Sequence, residues 1–593
     1  MIKRVIWLGA ALALLSLWGC SADQQQDAIE TDLSNSGTAA TGSTVEKAAA
    51  DTETISDLAT LYADEDPYSV VTMYLTVSRG DAAQNLDHSW EEVNSYSVYD
   101  YEDMQVDRYA VSGLLQVGDE NGPLAGDFGY EAVVPNATVT IRGQSSSQGA
   151  QKNYKIKLLD GSGSWRDQTV INLNKHMSEG LRFRNKLSYD LLKLLPDTLS
   201  AQTQFVHLYV KDLTAGEAAV FTDYGLYTQV EQINKSYLKR HGLDNNGQLY
   251  KINFFEFQRY PDVIMLKSEE NYDQAAFETM LEIKGSDDHS KLIAMLDDLN
   301  NVEIPIEEVI AEWFNKDNLL TWLAYQTLMG NKDTQSRNLF LYSPLNSQTW
   351  YFISWDNDGS LSTTENSIRD RNINASWAHG MANYWGNTLF NRLLRSEQLR
   401  AELDTKMQEV KAVLTPELMS SMIQNYAAVV KPYVYSGPDL LHAPLTATQY
   451  DEVVTALPSE IEANYQAYRQ SLQEPMPFYI GIPTTTANTV TLTWDAAFDF
   501  NQENITYSLE LADNIDFTKP LVQTDQLILP SYTYEGKLEP GQYFVRIQAT
   551  NESGYSQAAF DYYVLDGANL VSGVLSFYIL ADGSVEVVAN AEN

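Results

Sequence analysis

The stretch NKDTQSRNLFLYSPLNSQTWYFISWDNDGS, residues 331–360, contains two apolar segments separated by a spacer rich in turn-forming residues. The segments cover residues 339–342 and 350–355, and Pro344 and Asn346 lie between them. Short apolar runs around such a spacer are typical of the two strands of a β-hairpin. We therefore predict a hairpin here, and its ends carry the polar residues that matter most for function.

Three polar side chains lie at the ends of this hairpin. Asp333 and Asn338 precede the first strand with four residues between them, and Asp356 directly follows the second. Protein kinases use a D-x-x-x-x-N loop and a strand-end Asp, in this order, to orient the attacking hydroxyl and to bind Mg²⁺. Mg²⁺ prefers oxygen ligands, so one carboxylate and one amide carbonyl suffice. The alternative is that these residues only form turns at strand ends.

The surrounding triplets differ from those of ordinary protein kinases. Asn331 and Lys332 stand where His and Arg precede the catalytic Asp, and Asp356-Asn357-Asp358 replaces Asp-Phe-Gly. Metal-hydrolase signatures are missing too, because the seven His residues show neither H-x-H nor HExxH spacing.

The composition is that of a large globular protein with an excess of acids. The 593 residues are 44% hydrophobic and 20% charged, with a formal net charge of −41. This length predicts two or three domains. Binding to nucleic acid needs clustered Lys and Arg, so the charge argues against nucleic acid as a partner.

The N-terminus has the features of an export signal. Lys3 and Arg4 precede an apolar run over residues 5–17, which is short for a membrane-spanning helix. The run leads to Cys20, the only cysteine, in a pattern that resembles a bacterial lipoprotein signal. We predict a signal peptide over residues 1–20, lipidation of Cys20, and an exported protein anchored to a membrane, facing the periplasm or the cell surface. A short uncleaved anchor is the alternative.

Residues 21–66 are polar and nearly free of aromatic residues. Such a composition cannot bury enough apolar surface to fold, so we predict a disordered tether between the lipid and the first domain.

A basic segment interrupts this acidic chain between Arg142 and Lys186. It contains nine Lys or Arg against three acids, a local net charge of +6. Its candidate ligand-binding residues lie in a predicted strand–loop–strand unit: Arg142, Ser145, Ser146, Lys152, Lys155 and Lys157. A small-residue loop with lysines can neutralise nucleotide phosphates, although exposed lysines on a strand are often solvated edge charge. We predict an anion site in this segment.

Strand patterns precede helical patterns along the main domain, which predicts an α+β fold. Residues 205–210 and 224–230 are predicted strands, and residues 306–329 a predicted helix. Glu231 follows the second strand, and we expect it to pair with a lysine of the preceding strands, as in the kinase ion pair. A surface carboxylate is the alternative.

Seven short segments, in this order, resemble the spore coat protein H (CotH) kinase-like family. They are Ile141-Arg142-Gly143-x-Ser145-Ser146, Lys152-x-Tyr154-Lys155-Ile156-Lys157, Arg184-Asn185, Gly225-Leu226-Tyr227-x-x-x-Glu231, Leu249-Tyr250-Lys251, Asp333-x-x-x-x-Asn338 and Trp355-Asp356-x-Asp358. The resemblance implies an atypical protein-kinase-like domain over residues 67–474, with a β-rich N-lobe and a helical C-lobe.

The resemblance also implies ATP and Mg²⁺ (or Mn²⁺) as cofactors and phosphate transfer to protein hydroxyls. Asp333 corresponds to the catalytic carboxylate, and Asn338, Asp356 and Asp358 to metal ligands. The predicted contacts on the nucleotide side are Arg142, Ser145, Ser146, Lys152, Lys155, Lys157 and Glu231. Which lysine meets the phosphates is left open.

The last part of the chain has short strand patterns about ten residues apart and no cysteine, which predicts an all-β sandwich of the Ig type over residues 478–566. Trp494 and the Leu538-x-Pro540-Gly541-x-Tyr543 segment resemble fibronectin type III modules. We expect this module to contact a surface protein or a polysaccharide, and residues 567–593 to form a C-terminal extension.

Two further functions are compatible with these residues. One is a surface adhesin that keeps a kinase-like fold without turnover. The other is a different nucleotide-dependent transfer, such as adenylylation or ligation to a carboxylate, which needs the same metal and basic loop.

Overall fold

The computed structural model of the protein describes residues 55–216, 219–371, 375–565 and 570–587. The predicted signal peptide, Cys20 and most of the predicted tether lie outside these ranges. Within them, no helix has the length and apolar character needed to span a bilayer.

The end of the predicted tether is folded. Ile55 is buried in the largest hydrophobic core, and a 3₁₀ turn follows at Ala59–Leu61. The Asp57 carboxylate accepts hydrogen bonds from the Ser200 backbone N–H (2.8 Å) and the Tyr62 hydroxyl (2.6 Å). The folded part therefore begins before residue 67, because these contacts tie the segment to the first lobe.

The first lobe is built on seven strands that close into a barrel. The strands of this lobe are β1 (Val70–Ser78), β2 (Ala110–Asp119), β3 (Gly122–Pro123), β4 (Ala137–Arg142), β5 (Asn153–Leu158), β6 (Val170–Asn174), β7 (Thr203–Asp212) and β8 (Thr222–Glu231). Their order is β1-β7-β8-β6-β5-β4-β2, and β2 pairs back to β1, while β3 only extends β2. Closure removes exposed sheet edges.

Buried and partly exposed side chains alternate along the strands, which gives the barrel an apolar interior and a more polar outer face. In β4, Val139 and Ile141 are buried in the interior, whereas Thr140 and Arg142 lie on the outer face. Because β4 and β5 are antiparallel partners, Lys155 lies opposite Thr140 and on that same outer face.

Two short helices, α1 (Trp90–Ser95) and α2 (Val98–Met104), connect β1 to β2. Ser97 and Asp100 form a capping box, a local signal for helix initiation.

The second lobe is mainly helical and contains the predicted hairpin. Its sheet has the order β10-β9-β11-β12, with β9 (Gln248–Ile252), β10 (Leu281–Ile283), β11 (Leu339–Ser343) and β12 (Tyr351–Ser354). The hairpin of β11 and β12 is confirmed, with Leu339 opposite Ser354.

The helices that follow α2 begin with α3, between the lobes, and continue through the second lobe. They are α3 (Arg184–Leu192), α4 (Lys235–Arg240), α5 (Gln274–Met280), α6 (Ser290–Asn300), α7 (Ile306–Trp313), α8 (Lys316–Leu328), α9 (Thr363–Ile368), α10 (Thr388–Arg395), α11 (Glu397–Val413), α12 (Pro416–Val434) and α13 (Ala447–Ser471). The single helix predicted over residues 306–329 is two helices, because the Asn315 side chain caps the second one.

The C-terminal part contains two facing sheets, so the α+β assignment with a terminal β-rich region is confirmed. One sheet contains β13 (Thr484–Thr485), β14 (Thr489–Thr493) and β17 (Ser531–Glu535). The other contains β15 (Ile505–Ala512), β16 (Val522–Leu527), β18 (Gly541–Asn551), β19 (Ser556–Ala558), β22 (Val574–Ile579) and β23 (Val585–Glu586). Leu492 of the first sheet and Leu509 and Ile547 of the second share one core.

The described part of the expected C-terminal extension, residues 570–587, belongs to this sandwich. β19 pairs with one half of β18, and β22 pairs with the other half along the same edge. A ribbon of β20 (Tyr562–Val564) and β21 (Leu570–Ser572) interrupts them. The boundary predicted at residue 566 is therefore too early, because β22 completes the sheet.

The sandwich packs directly on the helical lobe. Phe498 stacks on Trp385 with ring centroids 5.3 Å apart, and the Arg395 guanidinium lies 4.4 Å from the Phe498 centroid. Trp377 contacts Phe560 edge-on at 5.1 Å. Aromatic pairs of this kind add to the stabilisation from the apolar area that they bury, so the sandwich and the helical lobe form a direct interface.

Candidate active site

A cleft of about 2720 Å³ lies between the barrel and the helical lobe. Asp333, Asn338, Asp356 and Asp358 line it from the hairpin side, and Arg142 lines it from the barrel side. The predicted catalytic and metal-binding residues therefore line the same cleft as Arg142 of the basic segment.

The hairpin register brings Asn338 and Asp356 to one end of the sheet. The backbone N–H of Trp355 donates to the Asn338 carbonyl at 3.2 Å, directly beyond the last ladder pair. Both Asn338 and Asp356 have left-handed backbone conformations, with φ of 59° and 52°. This conformation costs roughly 1–2 kcal/mol for a residue with a Cβ, so the surrounding contacts must hold it in place.

Two carboxylates, Asp356 and Asp358, flank Asn357 at the cleft. Burial, and then the negative charge of Asp358, raises the pKa of Asp356 to about 6. Burial also acts to raise the pKa of Asp358, but the hydrogen bond and charge of His176 outweigh it and lower that pKa. The His176 Nδ1 lies 3.6 Å from Asp358 Oδ2.

This donor set fits a hard divalent cation. Two neighbouring carboxylates repel each other when both are ionised, and a cation between them removes that repulsion. In the described ranges, no group of three or more His, Cys, Asp or Glu side chains is arranged to hold a metal ion by itself. Mg²⁺ does not require one, because it binds through one or two carboxylates and keeps several waters.

Asp333 is held in a fixed orientation at the cleft surface. Its Oδ1 accepts a hydrogen bond from Arg337 Nε at 2.6 Å and also pairs with Arg337 Nη2. Its Oδ2 accepts a hydrogen bond from Asn338 Nδ2 at 3.0 Å. With 46% of its side chain exposed, Asp333 remains accessible to an incoming group.

Arg142 and the serine loop form the opposite wall. The Arg142 guanidinium hydrogen-bonds Asn174 and lies 6.0 Å from the Trp355 ring centroid. Ser145 and Ser146 are exposed in a 3₁₀ turn, Ser145–Gln148, and both line the cleft.

The three predicted lysines differ in position. Lys155 lines the cleft. Lys152 is buried, and its ammonium donates to the Ser147 carbonyl, while the Ser147 hydroxyl accepts from the Val98 N–H at 3.0 Å. Lys157 is exposed and is not part of the cleft lining. The direct nucleotide contacts predicted for Lys152 and Lys157 are corrected accordingly, and Lys152 instead supports the serine loop from behind.

The predicted pairing of Glu231 with a lysine is wrong. Glu231 is fully buried and pairs with Arg240 and with His241 Nε2, the latter at 3.2 Å. The chain turns into α4 directly after β8, which returns Arg240 and His241 to the end of that strand.

Much of the basic segment is neutralised inside the protein. Lys175 and Arg182 both pair with Asp439, at 2.6 and 2.9 Å. Arg184 pairs with Glu365 at 2.6 Å, and Lys186 pairs with Asp190 at 2.8 Å. The local charge of +6 therefore overstated the cations available to a ligand.

The sequence predictions assign no site role to three residues of the cleft lining, His176, Lys251 and Arg337. His176 directly follows Lys175 of the basic segment, and Lys251 ends the Leu249-Tyr250-Lys251 segment, so both lie next to signals that the sequence contains. Arg337 is four residues after Asp333, and this i, i+4 spacing is a signal that could have identified it.

Part of the chain is similar to known proteins. The family model described as "CotH kinase protein" matches residues 139–468, more than half of the chain. No curated protein matches the chain significantly. The crystal structure of a Helicobacter pylori proinflammatory kinase, CtkA, is similar at 10% sequence identity and a TM-score of 0.23, covering 54% of this chain and 95% of that chain.

The matched range includes the serine loop, the hairpin and the cleft carboxylates of Asp333, Asp356 and Asp358. The resemblance noted in the sequence is therefore confirmed at the level of the family, and the chain belongs to the CotH kinase protein family.

Proposed function

We propose that the protein transfers the γ-phosphate of ATP to a protein hydroxyl in the cleft, with Mg²⁺ or Mn²⁺ as the cofactor. The observation that carries this proposal is that Asp333, Asn338, Asp356, Asp358 and Arg142 line one cleft. A metal ion bound there supplies electrostatic stabilisation of the phosphates.

The two ends of Asn338 have different tasks in this proposal. Its Nδ2 donates to Asp333, which leaves its carbonyl oxygen for the cation together with Asp356 and Asp358. Asp333 accepts the proton of the acceptor hydroxyl while the new O–P bond forms and the bond from the γ-phosphorus to the bridging oxygen breaks, releasing ADP.

Positive charge at the cleft wall completes the proposed nucleotide site. Arg142 and Lys155 neutralise phosphate oxygens, and Ser145 and Ser146 donate hydrogen bonds from the loop that Lys152 supports. We further propose that the protein acts outside the cytoplasm, anchored through a lipid on Cys20, and that the C-terminal sandwich contacts a surface protein or polysaccharide.

Radiolabelled ATP tests the reaction. Purified protein is incubated with the label and with Mg²⁺ or Mn²⁺, beside Asp333→Asn and the control Asp451→Asn, whose exposed side chain lies outside the cleft lining. We expect label on protein with the wild type and the control, and at least ~100-fold less with Asp333→Asn, because the proton acceptor is lost. Nucleotide binding without transfer would point to a pseudokinase or to a missing acceptor substrate. Absence of both binding and transfer contradicts the proposal and favours the adhesin function.

A further inference from the structure

Three buried amide side chains lie directly behind the cleft carboxylates. Gln326 is in α8, Asn331 precedes Asp333 by two residues, and Asn357 stands between Asp356 and Asp358. Their exposed fractions are 0%, 1% and 0%. None of the three belongs to the proposed phosphate-transfer machinery.

These amides form one hydrogen-bonded network, which we call the amide triad. Asn331 Nδ2 donates to Gln326 Oε1 at 3.1 Å, and Gln326 Nε2 donates to Asn357 Oδ1 at 3.1 Å. Gln326 Nε2 also lies 2.8 Å from the Ser354 hydroxyl at the end of β12. The triad therefore joins the segment before Asp333, the helix α8 and the turn that carries Asp356 and Asp358.

The direction of the Asn357 side chain determines where its neighbours point. Asn357 is directed into the protein, whereas the Asp356 and Asp358 on either side of it both line the cleft. The left-handed backbone of Asp356 is unfavourable for a residue with a Cβ, so this turn needs anchoring. The Asn357 N–H donates to Asn185 Oδ1 (3.1 Å) and the Asp356 N–H to the Tyr189 hydroxyl (3.2 Å), both from α3.

Packing alone does not account for the triad. Asn331 Oδ1 and Asn357 Nδ2 have no hydrogen-bond partner among the described residues, and a buried polar atom without a partner is unfavourable. Apolar side chains of the same size would avoid this cost, so the geometry that the amides impose is the simplest reason for their presence.

We propose that the amide triad is a positioning unit that fixes the separation between the Asp333 carboxylate and the pair Asp356 and Asp358. This inference rests on the proposed function, since it assigns to the triad the task of presenting the metal ligands. The residues act through the carboxylates and do not contact the substrate themselves. Partners of this kind commonly change metal affinity when they are removed.

Metal affinity is the measurement that tests the triad. Mn²⁺ binding to the purified protein with ADP present is followed by electron paramagnetic resonance of free Mn²⁺, for the wild type, Asn357→Leu and Gln326→Met. We expect each variant to bind Mn²⁺ ~10- to 100-fold more weakly. The second variant breaks the same hydrogen bond from the other side, so the test survives if one variant fails to fold.

Asn318→Leu provides a matched control. Asn318 is also fully buried in α8 and bonds β12, through the Phe352 N–H (2.7 Å) and carbonyl (3.2 Å), but it does not touch the triad. Its removal is expected to lower stability and to leave the Mn²⁺ affinity unchanged. Equal weakening in the control and the triad variants, or no weakening in either triad variant, overturns the inference alone. A wild-type protein that binds no Mn²⁺ overturns the proposed function and the inference with it.

Discussion

Two groups of carboxylates lie within the same kinase-like domain but have opposite environments. Asp439 is 1% exposed and accepts hydrogen bonds or ion pairs from Lys175, Arg182 and the Leu226 N–H. Asp358 is 38% exposed, and its ion pair is with His176 at 3.6 Å. The Asp439 carboxylate thus has several hydrogen-bond and ion-pair donors, whereas the Asp358 carboxylate faces the cleft beside Asp356.

The difference separates structural from functional acids. A buried carboxylate that receives several donors holds distant segments together, here the α12–α13 connection and the barrel. A pair of acids at a cleft with few donors is electrostatically unfavourable until a cation arrives. Aspartates thus stabilise the fold at one place and, in the proposed function, bind a cation at the other.

Removal of Asp439 is expected to have the largest effect on this comparison. Asp439→Ala leaves Arg182 and Lys175 buried without their counter-charge, and we expect a loss of about 3–5 kcal/mol in the free energy of unfolding. Urea unfolding measures it, with the exposed Asp451→Ala as the control. A loss below ~1 kcal/mol, which is typical of surface ion pairs, would show that Asp439 is not a structural carboxylate.

In contrast to Asp439→Ala, we expect Asp356→Asn to lower activity without lowering the free energy of unfolding. The substitution removes a proposed metal ligand and one of two repelling charges. Phosphate transfer should therefore fall ~100- to 1,000-fold, while the free energy of unfolding is unchanged or rises. Parallel measurements of label transfer and urea unfolding test both halves. A variant that loses stability as Asp439→Ala does would show that Asp356 is structural.

The smallest expected effect concerns Glu102, another acid of the cleft lining. Its two carboxylate oxygens are shielded and have no partner among the described residues, and burial raises its pKa from 4.5 to about 7. The folded protein therefore keeps a proton that the unfolded chain releases, and the free energy of unfolding should fall as pH rises from 4.5 to 7. Glu102→Gln should flatten this pH dependence in thermal or urea unfolding. Identical pH profiles for the two proteins would contradict the assignment.

Local patterns predicted the hairpin because its signals are close in sequence. The apolar runs, the turn residues and the strand-end Asp356 lie within thirty residues, and strand pairing across a short loop needs no distant partner. The same local reasoning failed at Glu231, because its true partner Arg240 is supplied by a helix whose packing was not visible in the pattern.

The segment Gly225-Leu226-Tyr227, one of the seven that resemble the CotH family, contains a glycine that the structure explains. Gly225 has φ of 75°, and a Cβ on it would lie 2.2 Å from the Asp439 carboxylate. Only glycine allows this carboxylate to approach the backbone and accept the Leu226 N–H at 2.8 Å. The sequence contained the glycine, but its partner is more than two hundred residues away.

The sequence by itself determined the α+β class, the hairpin and the order of the acidic and basic segments, because these depend on periodicity and spacing along the chain. Only the tertiary structure decided which charges face the cleft. Arg142 and Lys155 line the cleft, whereas Lys175 and Arg182 form buried ion pairs with Asp439. The physical reason is that Lys175 and Arg182 are buried against a carboxylate more than two hundred residues further along the chain, and no local pattern shows such a partner.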